Sequence, residues 1–119
     1  MAIYDQLPVY KAVYDFLLQL FDVTKKMERD FKFTIGEKIK AEGIELIICI
    51  YRANTLYDKR TLLSDAKENI EVLRLLIRLL NDLKQISLKE FVNLSEKLET
   101  ISKQVNAWYI QQVKKNEIL

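Results

Sequence analysis

Three pairs of glutamates are the first residues in this chain that could do chemistry together. In each pair the residues are three positions apart, which puts both carboxylates on one face of a helix. The pairs are Glu42 with Glu45, Glu68 with Glu71, and Glu96 with Glu99. Bundles that hold two metal ions between inward glutamates normally carry Glu-x-x-His on two of their helices. Because the chain has no histidine, we interpret these glutamates as surface residues and expect no metal site and no cofactor.

Nucleophilic catalysis lacks its partner groups as well. A catalytic serine needs an adjacent base, and histidine, the commonest base, is absent. The stretch from Gly36 to Gly43 has neither the spacing nor the Gly-Lys-Ser/Thr ending of a phosphate-binding loop. The sequence therefore predicts a binding or assembly protein that is not an enzyme.

Basic residues near the predicted helix ends are a stronger signal. One group lies around the first break between helices, and another lies around the second break and the end of the chain. The main members are Lys25, Lys26, Arg29 and Lys32 in the first group and Arg52, Lys59 and Arg60 in the second. Such clusters can neutralise the phosphates of a nucleic acid. Acidic neighbours dilute both groups, so an ordinary solvated surface is the alternative interpretation.

Four aromatic residues accompany these basic ends. They are Phe31, Phe33, Tyr57 and Tyr109. Aromatic rings beside cations can stack on the bases of single-stranded nucleic acid. Aromatic residues at helical spacing usually belong to the core, so core packing is the competing interpretation for each of them.

Four long helical patterns must position all of these residues. Apolar residues recur at three- and four-residue spacing over about 7–28, 34–54, 61–85 and 88–115. Since the breaks between these segments are short, consecutive helices must be antiparallel neighbours. We predict an all-α fold, an antiparallel up-down-up-down four-helix bundle, as a single domain over residues 1–119.

Two of the predicted helix starts carry a capping pattern. Thr34 with Glu37 and Ser87 with Glu90 have the spacing of a capping box, in which each residue's side chain accepts the other's backbone N–H. Pro8 suits the first turn of the first helix, where a backbone N–H is not needed.

The first helix has a broad apolar stripe, and the second has more apolar surface than one buried face requires. In the first helix we assign a broad core stripe to Tyr10, Val13, Tyr14, Leu17, Leu18, Leu20, Phe21 and Thr24. From Ile44 onward the second helix is apolar nearly all the way round, so it should be covered on more than one side. A neighbouring subunit is a candidate for one of these covers. Gly36 and Gly43 share a face of this helix and predict close approach of another helix, and Cys49 reads as a buried thiol.

Composition limits the location and the partners of the protein. The chain has 119 residues, with 19 basic and 17 acidic residues and a formal net charge of +2. This balance does not by itself demand a nucleic-acid partner. The N-terminus lacks the pattern of a signal peptide, and no apolar stretch is long enough to span a membrane. We therefore expect a cytoplasmic protein without a membrane association.

The order and spacing of several segments resemble a known family. Leu7-Pro-Val-Tyr-Lys opens the first helix, Phe33-Thr-Ile-Gly-Glu-Lys-Ile opens the second, and Glu71-Val-Leu-Arg-Leu-Leu-Ile-Arg lies in the third. The fourth helix carries Ser95-Glu96 and a late Trp108. This pattern resembles the four-helix bundle family that joins the accessory variability determinant (Avd) proteins of diversity-generating retroelements to proteins encoded in intervening sequences of bacterial large-subunit rRNA genes. The Avd-like branch fits better.

The resemblance implies a noncatalytic accessory protein of a reverse transcriptase. Proteins of the Avd-like branch form homopentameric rings, associate with the polymerase and bind RNA or DNA through a basic surface. From charge and placement, the candidate contacts to RNA or polymerase are Lys25, Lys26, Arg29, Lys32, Arg52, Lys59, Arg60, Arg74 and Arg78. The alternative is a structural, protein-interaction bundle of the rRNA intervening-sequence type with no direct nucleic-acid role.

Overall fold

Residues 3–118 are described by the computed structural model, and all regular structure in that range is helical. A short 3-10 turn, Tyr4–Gln6, precedes five α-helices. These are α1 (Pro8–Lys25), α2 (Arg29–Lys32), α3 (Ile35–Thr55), α4 (Arg60–Asp82) and α5 (Leu88–Ile118). The outermost positions of the predicted domain, 1–2 and 119, lie outside the described residues.

The four long helices, α1, α3, α4 and α5, form an elongated bundle. Helices that follow one another along the chain pack side by side, and α5 closes the bundle by packing against α1. The molecule measures 51 × 23 × 22 Å along its principal axes. The predicted all-α four-helix bundle is confirmed.

The core follows the apolar period of each long helix. In α5 the predicted seam is buried at Leu94, Leu98, Ile101 and Val105 and continues to Gln112, which is 5% exposed. Fully buried leucines and isoleucines of α3 and α4 meet this seam along the bundle axis. The buried residues of all four long helices belong to one continuous core. Burial of each large apolar side chain supplies about 1.5–3 kcal/mol.

The first break differs from the prediction. Helix α1 ends at Lys25, and the segment predicted to be a break forms the single helical turn α2. The predicted capping box at Thr34 is wrong. The Thr34 hydroxyl donates backwards to the carbonyl oxygen of Asp30 at 2.8 Å, and Glu37 pairs with Lys40 at 2.9 Å. Because α2 ends immediately before α3, its last carbonyls lack helical partners, and one of them accepts a hydrogen bond from the Thr34 hydroxyl.

The turn between α4 and α5 has well-defined caps at both ends. The predicted capping box is confirmed, since the Ser87 backbone N–H donates to Glu90 Oε1 at 2.8 Å and the Glu90 N–H donates to Ser87 Oγ at 3.1 Å. Helix α4 ends at Asp82, and Lys84, just beyond its C-cap Leu83, has φ 59°. The N–H of Gln85 reaches the Leu80 carbonyl at 2.9 Å, the pairing of a Schellman motif.

The two glycines of α3 play different parts. A Cβ at Gly43 would lie 2.5 Å from Cδ2 of Leu17 and 3.2 Å from Cδ2 of Leu20, so the predicted close approach of another helix is confirmed there. At Gly36 the nearest atom to a Cβ would be the Phe31 carbonyl oxygen at 3.4 Å. That is an ordinary contact, and it does not require glycine.

A polar chain crosses from α3 to α4 beside the core. Cys49 is 8% exposed, as predicted, and its thiol lies 3.7 Å from Asn69 Oδ1. Asn69 in turn donates to Glu42 Oε2 at 2.9 Å, and Lys38 pairs with Glu42 Oε1 at 2.9 Å. Burial raises the pKa of the Cys49 thiol, so this cysteine has the properties of a structural residue.

Candidate nucleic-acid interface

The structure brings the first and third breaks together at one end of the bundle. The Glu28 backbone N–H, at the start of α2, donates to Gln85 Oε1 at 3.0 Å, and Lys26 lies 3.9 Å from Glu90. Four of the predicted contact residues lie at this end, on the last turn of α1, on the link that follows it, and on α2. We call the group the α2-end cations: Lys25, Lys26, Arg29 and Lys32.

Three of the four α2-end cations are exposed, and Lys26 makes only long ion pairs. Lys25, Lys26 and Arg29 are exposed and Lys32 is half-buried. Lys26 lies 3.7 Å from Asp22 and 3.9 Å from Glu90. Exposed ion pairs of this length contribute little to stability, so exchanging a carboxylate for a phosphate would cost the fold little.

An aromatic ring extends this surface. The Arg29 guanidinium lies 6.0 Å from the centre of the Phe33 ring, and Phe33 is 62% exposed. Phe33 therefore lies on the surface and not in the core, and stacking on a base stays a prediction. Phe31 instead packs half-buried against the core.

Lys59, at the opposite end of the bundle, has a structural task. Its ammonium group donates to the carbonyl of Ala53 at 2.8 Å and also to the carbonyl of Leu56. These bonds satisfy carbonyls at the end of α3 and in the link after it. Burial, and secondarily the charge of Lys115, lower the pKa of Lys59.

Arg60 is also paired within the chain. Its Nε and Nη2 donate to the two carboxylate oxygens of Asp58 at 3.0 and 2.8 Å. Asp58 accepts the Arg60 backbone N–H at 3.2 Å as well. These hydrogen bonds from Arg60 hold the pKa of Asp58 well below its usual range. The Arg60 guanidinium is therefore bound to Asp58 at the start of α4 and is not an unpaired surface cation.

The two predicted contact residues on α4 differ from one another. Arg74 bridges two helices, because it pairs with Glu71 on its own helix and with Glu99 of α5 at 2.7 Å. Arg78 is exposed. Arg52, on the last turn of α3, is exposed too. The nine predicted contact residues therefore do not form one surface, and the α2-end cations are their largest group.

Comparison with known families identifies the family of this helical chain. The sequence model of the family described as bAvd-like matches residues 7–112. The chain belongs to the bAvd-like family. No curated protein matches the chain. Membership of the family suggests an accessory protein of a diversity-generating retroelement. Such proteins are generally noncatalytic and associate, as oligomers, with a reverse transcriptase.

Two features of the described residues of this bAvd-like protein bear on metal chemistry and on membranes. Within residues 3–118, no group of three or more histidine, cysteine, aspartate or glutamate residues is arranged to hold a metal ion. Among the described helices, none combines the length and the apolar character needed to cross a membrane.

One surface of this bAvd-like protein was misread in the sequence. Tyr14, Leu18 and Phe21 were assigned to the core stripe of the first helix, but they are 49%, 58% and 37% exposed. The core side of α1 is instead formed by Val9, Val13, Phe16, Leu20 and Val23. The signal was present in the spacing, since positions 14, 18 and 21 form a second stripe rotated by about 100° or more from positions 13, 16 and 20.

The exposed stripe of α1 continues onto α3. Ile44 and Tyr51 of α3 are 42% and 47% exposed, and Lys40 Nζ lies 5.6 Å from the centre of the Phe21 ring. The Tyr4 ring contacts both Tyr51, at 4.9 Å, and Tyr10, at 5.1 Å, between ring centres. We call this surface the α1/α3 face: Tyr4, Tyr14, Leu18, Phe21, Ile44 and Tyr51. A surface of six large apolar or aromatic side chains marks an interaction site more often than a solvated face.

Proposed function

We propose that this bAvd-like protein is a noncatalytic, nucleic-acid-binding accessory protein of a cytoplasmic reverse transcriptase of the diversity-generating retroelement type. It acts as a homo-oligomeric scaffold, and five copies are the expected number. The observation that carries the proposal is the group of α2-end cations in a chain of this family, three of which are exposed, with Lys26 in long ion pairs only. RNA or DNA phosphates would replace Asp22 and Glu90 as partners of Lys26.

The α1/α3 face supports the assembly part of the proposal. Its exposed leucine, isoleucine and aromatic side chains lie along both helices, where a second copy could cover them. Aromatic residues are enriched at the centres of protein interfaces. Helix α3 then receives the additional cover that its apolar circumference calls for.

Assembly would also offset the small charge of each copy. The formal net charge is only +2 per chain, which is weak for binding a phosphate backbone. A ring repeats the α2-end cations once per subunit, and simultaneous contacts along one RNA raise the overall affinity by about 10²–10⁴ when the geometry allows it. Arg52 and Arg78, which stay exposed, are further candidates for contact with RNA or with the polymerase.

A second function is favoured by the near balance of charge. The α1/α3 face could be the main binding surface of a protein-interaction bundle of the rRNA intervening-sequence type, with the α2-end cations only keeping it in solution. In that case the protein binds a protein partner, and its affinity for RNA stays nonspecific and weak.

Native mass spectrometry of the purified protein, alone and with a structured RNA, tests the proposal. We expect a multi-subunit particle, with a mass of five chains, that takes up RNA and loses it as salt rises. A particle that ignores RNA at every salt concentration would favour the protein-interaction bundle.

A matched pair of substitutions tests the assembly surface. Leu18→Glu places a charge in the α1/α3 face, where Leu18 is 58% exposed, and should shift the particle to smaller species. Leu75→Glu changes an equally exposed leucine of α4, 66% exposed, and should leave the mass unchanged. If Leu75→Glu dissociates the particle and Leu18→Glu does not, the contact lies on another face.

A further inference from the structure

An open pocket lies at the end of the bundle opposite α2, where the α3–α4 link faces the last turns of α5. We call it the Trp108 pocket. Its volume is about 510 Å³, within the range of small-molecule sites. The residues that matter for binding are Tyr57 and Lys59 from the link, and Trp108 and Lys115 from α5.

The charge of this pocket is one-sided. Two lysines line it, and no acidic residue is among the lining side chains that the structure describes. The nearest carboxylate of the link, Asp58, is committed to Arg60. Two of the three N–H groups of Lys59 bond the Ala53 and Leu56 carbonyls, which leaves one for a ligand. Burial and the charge of Lys115 lower the pKa of Lys59, so an anion beside both ammonium groups would relieve an existing repulsion.

Each lysine of the Trp108 pocket sits against an aromatic ring. Lys115 Nζ lies 4.4 Å from the centre of the Tyr57 ring, and Lys59 Nζ lies 5.9 Å from the centre of the Trp108 ring. Tyr57 is 66% exposed, so most of its surface is open to a ligand. A flat aromatic group can stack on such a ring while an attached anion reaches the lysines.

We infer that the Trp108 pocket binds a single unpaired nucleotide, with its base against Tyr57 and Trp108 and its phosphate between Lys59 and Lys115. The inference deepens the proposed function and rests on it, because an RNA strand supplies unpaired nucleotides. It gives the two ends of the bundle different ligands: phosphate backbone at the α2-end cations and one nucleotide, base and phosphate together, at the Trp108 pocket. Free nucleotides carry the same chemistry and are the second source of such a ligand.

The chain contains its own reporter for this pocket. Trp108 is the only tryptophan, so a change in tryptophan fluorescence comes from this residue, and the Lys115 and Tyr57 variants below assign the change to the Trp108 pocket. We would titrate the full chain with adenosine monophosphate, and separately with adenosine and with inorganic phosphate. Saturable quenching by the nucleotide is expected, with weaker effects of adenosine and of phosphate because each supplies only half of the contacts. Absence of saturable quenching through the millimolar range would overturn the inference.

Two neighbouring lysines provide a matched comparison. Lys115→Ala removes an exposed lysine that lines the pocket, and Lys114→Ala removes an exposed lysine that does not. We expect Lys115→Ala to lower the affinity for the nucleotide about tenfold, because one charge-assisted contact is lost. Lys114→Ala should leave the affinity unchanged. Equal losses in both variants would mean that net charge alone is responsible and would overturn the inference.

The ring contributed by the link is tested in the same way. Tyr57→Ala should lower the affinity for the nucleotide by about fivefold or more. Tyr14→Ala, which removes an exposed tyrosine of the α1/α3 face, should leave it unchanged. Circular dichroism checks that each variant folds. Loss of affinity in Tyr14→Ala alone would place the nucleotide elsewhere.

A final set of ligands distinguishes strand ends from free nucleotides as the source of the bound nucleotide. It also shows which of the two proposals fails if one of them does. Tighter quenching by a 5′-phosphorylated single strand than by the mononucleotide supports binding of strand ends, and equal quenching supports binding of free nucleotides. RNA uptake without any change in Trp108 fluorescence overturns the pocket and keeps the proposed function. Nucleotide binding without any RNA uptake keeps the pocket and overturns the proposed function.

Discussion

The two ends of this bundle carry similar cations but use them differently. At the α2 end, Lys25, Lys26 and Arg29 are exposed, and the Lys26 ion pairs are long. At the Trp108 end, Lys59 bonds two backbone carbonyls and Arg60 pairs with Asp58 through two hydrogen bonds. The same residue types therefore face solvent at one end and are tied to the backbone or to a carboxylate at the other, where Lys59 keeps a single N–H for a ligand.

The difference arises from the groups that satisfy the helix ends. At the α2 end, uncharged or backbone groups do most of this work: the Gln85 amide serves α2, the Thr34 hydroxyl serves its carbonyls, and Ser87 begins α5. At the α3–α4 link, charged side chains do it, through Lys59 and Asp58. A cation can offer a ligand only the N–H groups that the backbone does not already use, so Lys59 keeps one of its three.

Removing Lys59 should give the largest change in stability. Lys59→Ala removes the ammonium donor from the Leu56 carbonyl and leaves the Ala53 carbonyl with only the Leu56 N–H at 3.3 Å, and we expect a loss of about 1 kcal/mol in the free energy of unfolding. Urea unfolding measures it. Lys26→Ala, at the α2 end, is the matched control and should change stability by less than about 0.5 kcal/mol. Equal losses in the two variants would abolish the distinction between the ends.

A smaller change of opposite sign is expected at Lys84. Lys84 follows the C-cap of α4 and lies in the left-handed region, at φ 59°. A residue with a side chain is strained there and glycine is not. Lys84→Gly should therefore raise the free energy of unfolding by about 0.5–1 kcal/mol. Lys89→Gly, an exposed lysine in the first turn of α5, should lower it, since glycine costs about 1 kcal/mol inside a helix.

The smallest expected effect concerns Asp58 and pH. Arg60 holds the pKa of Asp58 below its usual range in the folded protein, so the charged carboxylate stabilises the fold above the unfolded pKa of about 4. This contribution is lost as pH falls through the folded pKa. Asp58→Asn should lower stability slightly at pH 7, and the gap to the unchanged protein should narrow in acid. Urea unfolding at several pH values measures the gap, and a gap that widens in acid would contradict this account.

Long periodic segments explain what the sequence could predict. The α5 seam from Leu94 to Val105 and the Ser87–Glu90 capping box depend on spacing within a single helix, and both were predicted correctly. Helix α2 is too short to have a period, so Arg29–Lys32 was predicted to be a break. The Thr34 prediction was wrong because it did not include this helical turn, whose free carbonyl accepts the Thr34 hydroxyl.

Predicting the site needed information that spacing does not contain. Lys59 and Arg60 look like any basic pair in the sequence, and only the path of the chain through Leu56 brings the Lys59 ammonium onto the end of α3. Periodicity placed Tyr14 and Leu18 on α1 but could not say that no helix of the same chain covers them. The Avd-like family, by contrast, was predicted from the order of segments and is confirmed by the family match.

A pair of charge reversals tests whether the α2 end carries the binding to nucleic acid. One variant combines Lys25→Glu, Lys26→Glu and Arg29→Glu. The other combines Arg52→Glu, Lys103→Glu and Lys114→Glu, so the same charge is reversed at exposed positions away from that end. Fluorescence anisotropy with a labelled structured RNA, over a range of salt concentrations, gives the affinity and its salt dependence.

We predict that the α2-end variant loses about 100-fold in affinity and that the slope of log affinity against log salt becomes shallower by about 2–3. The second variant should lose less than about tenfold, through net charge alone. Equal losses in the two variants, or unchanged binding in the α2-end variant, would contradict the account and turn attention to the α1/α3 face and a protein partner.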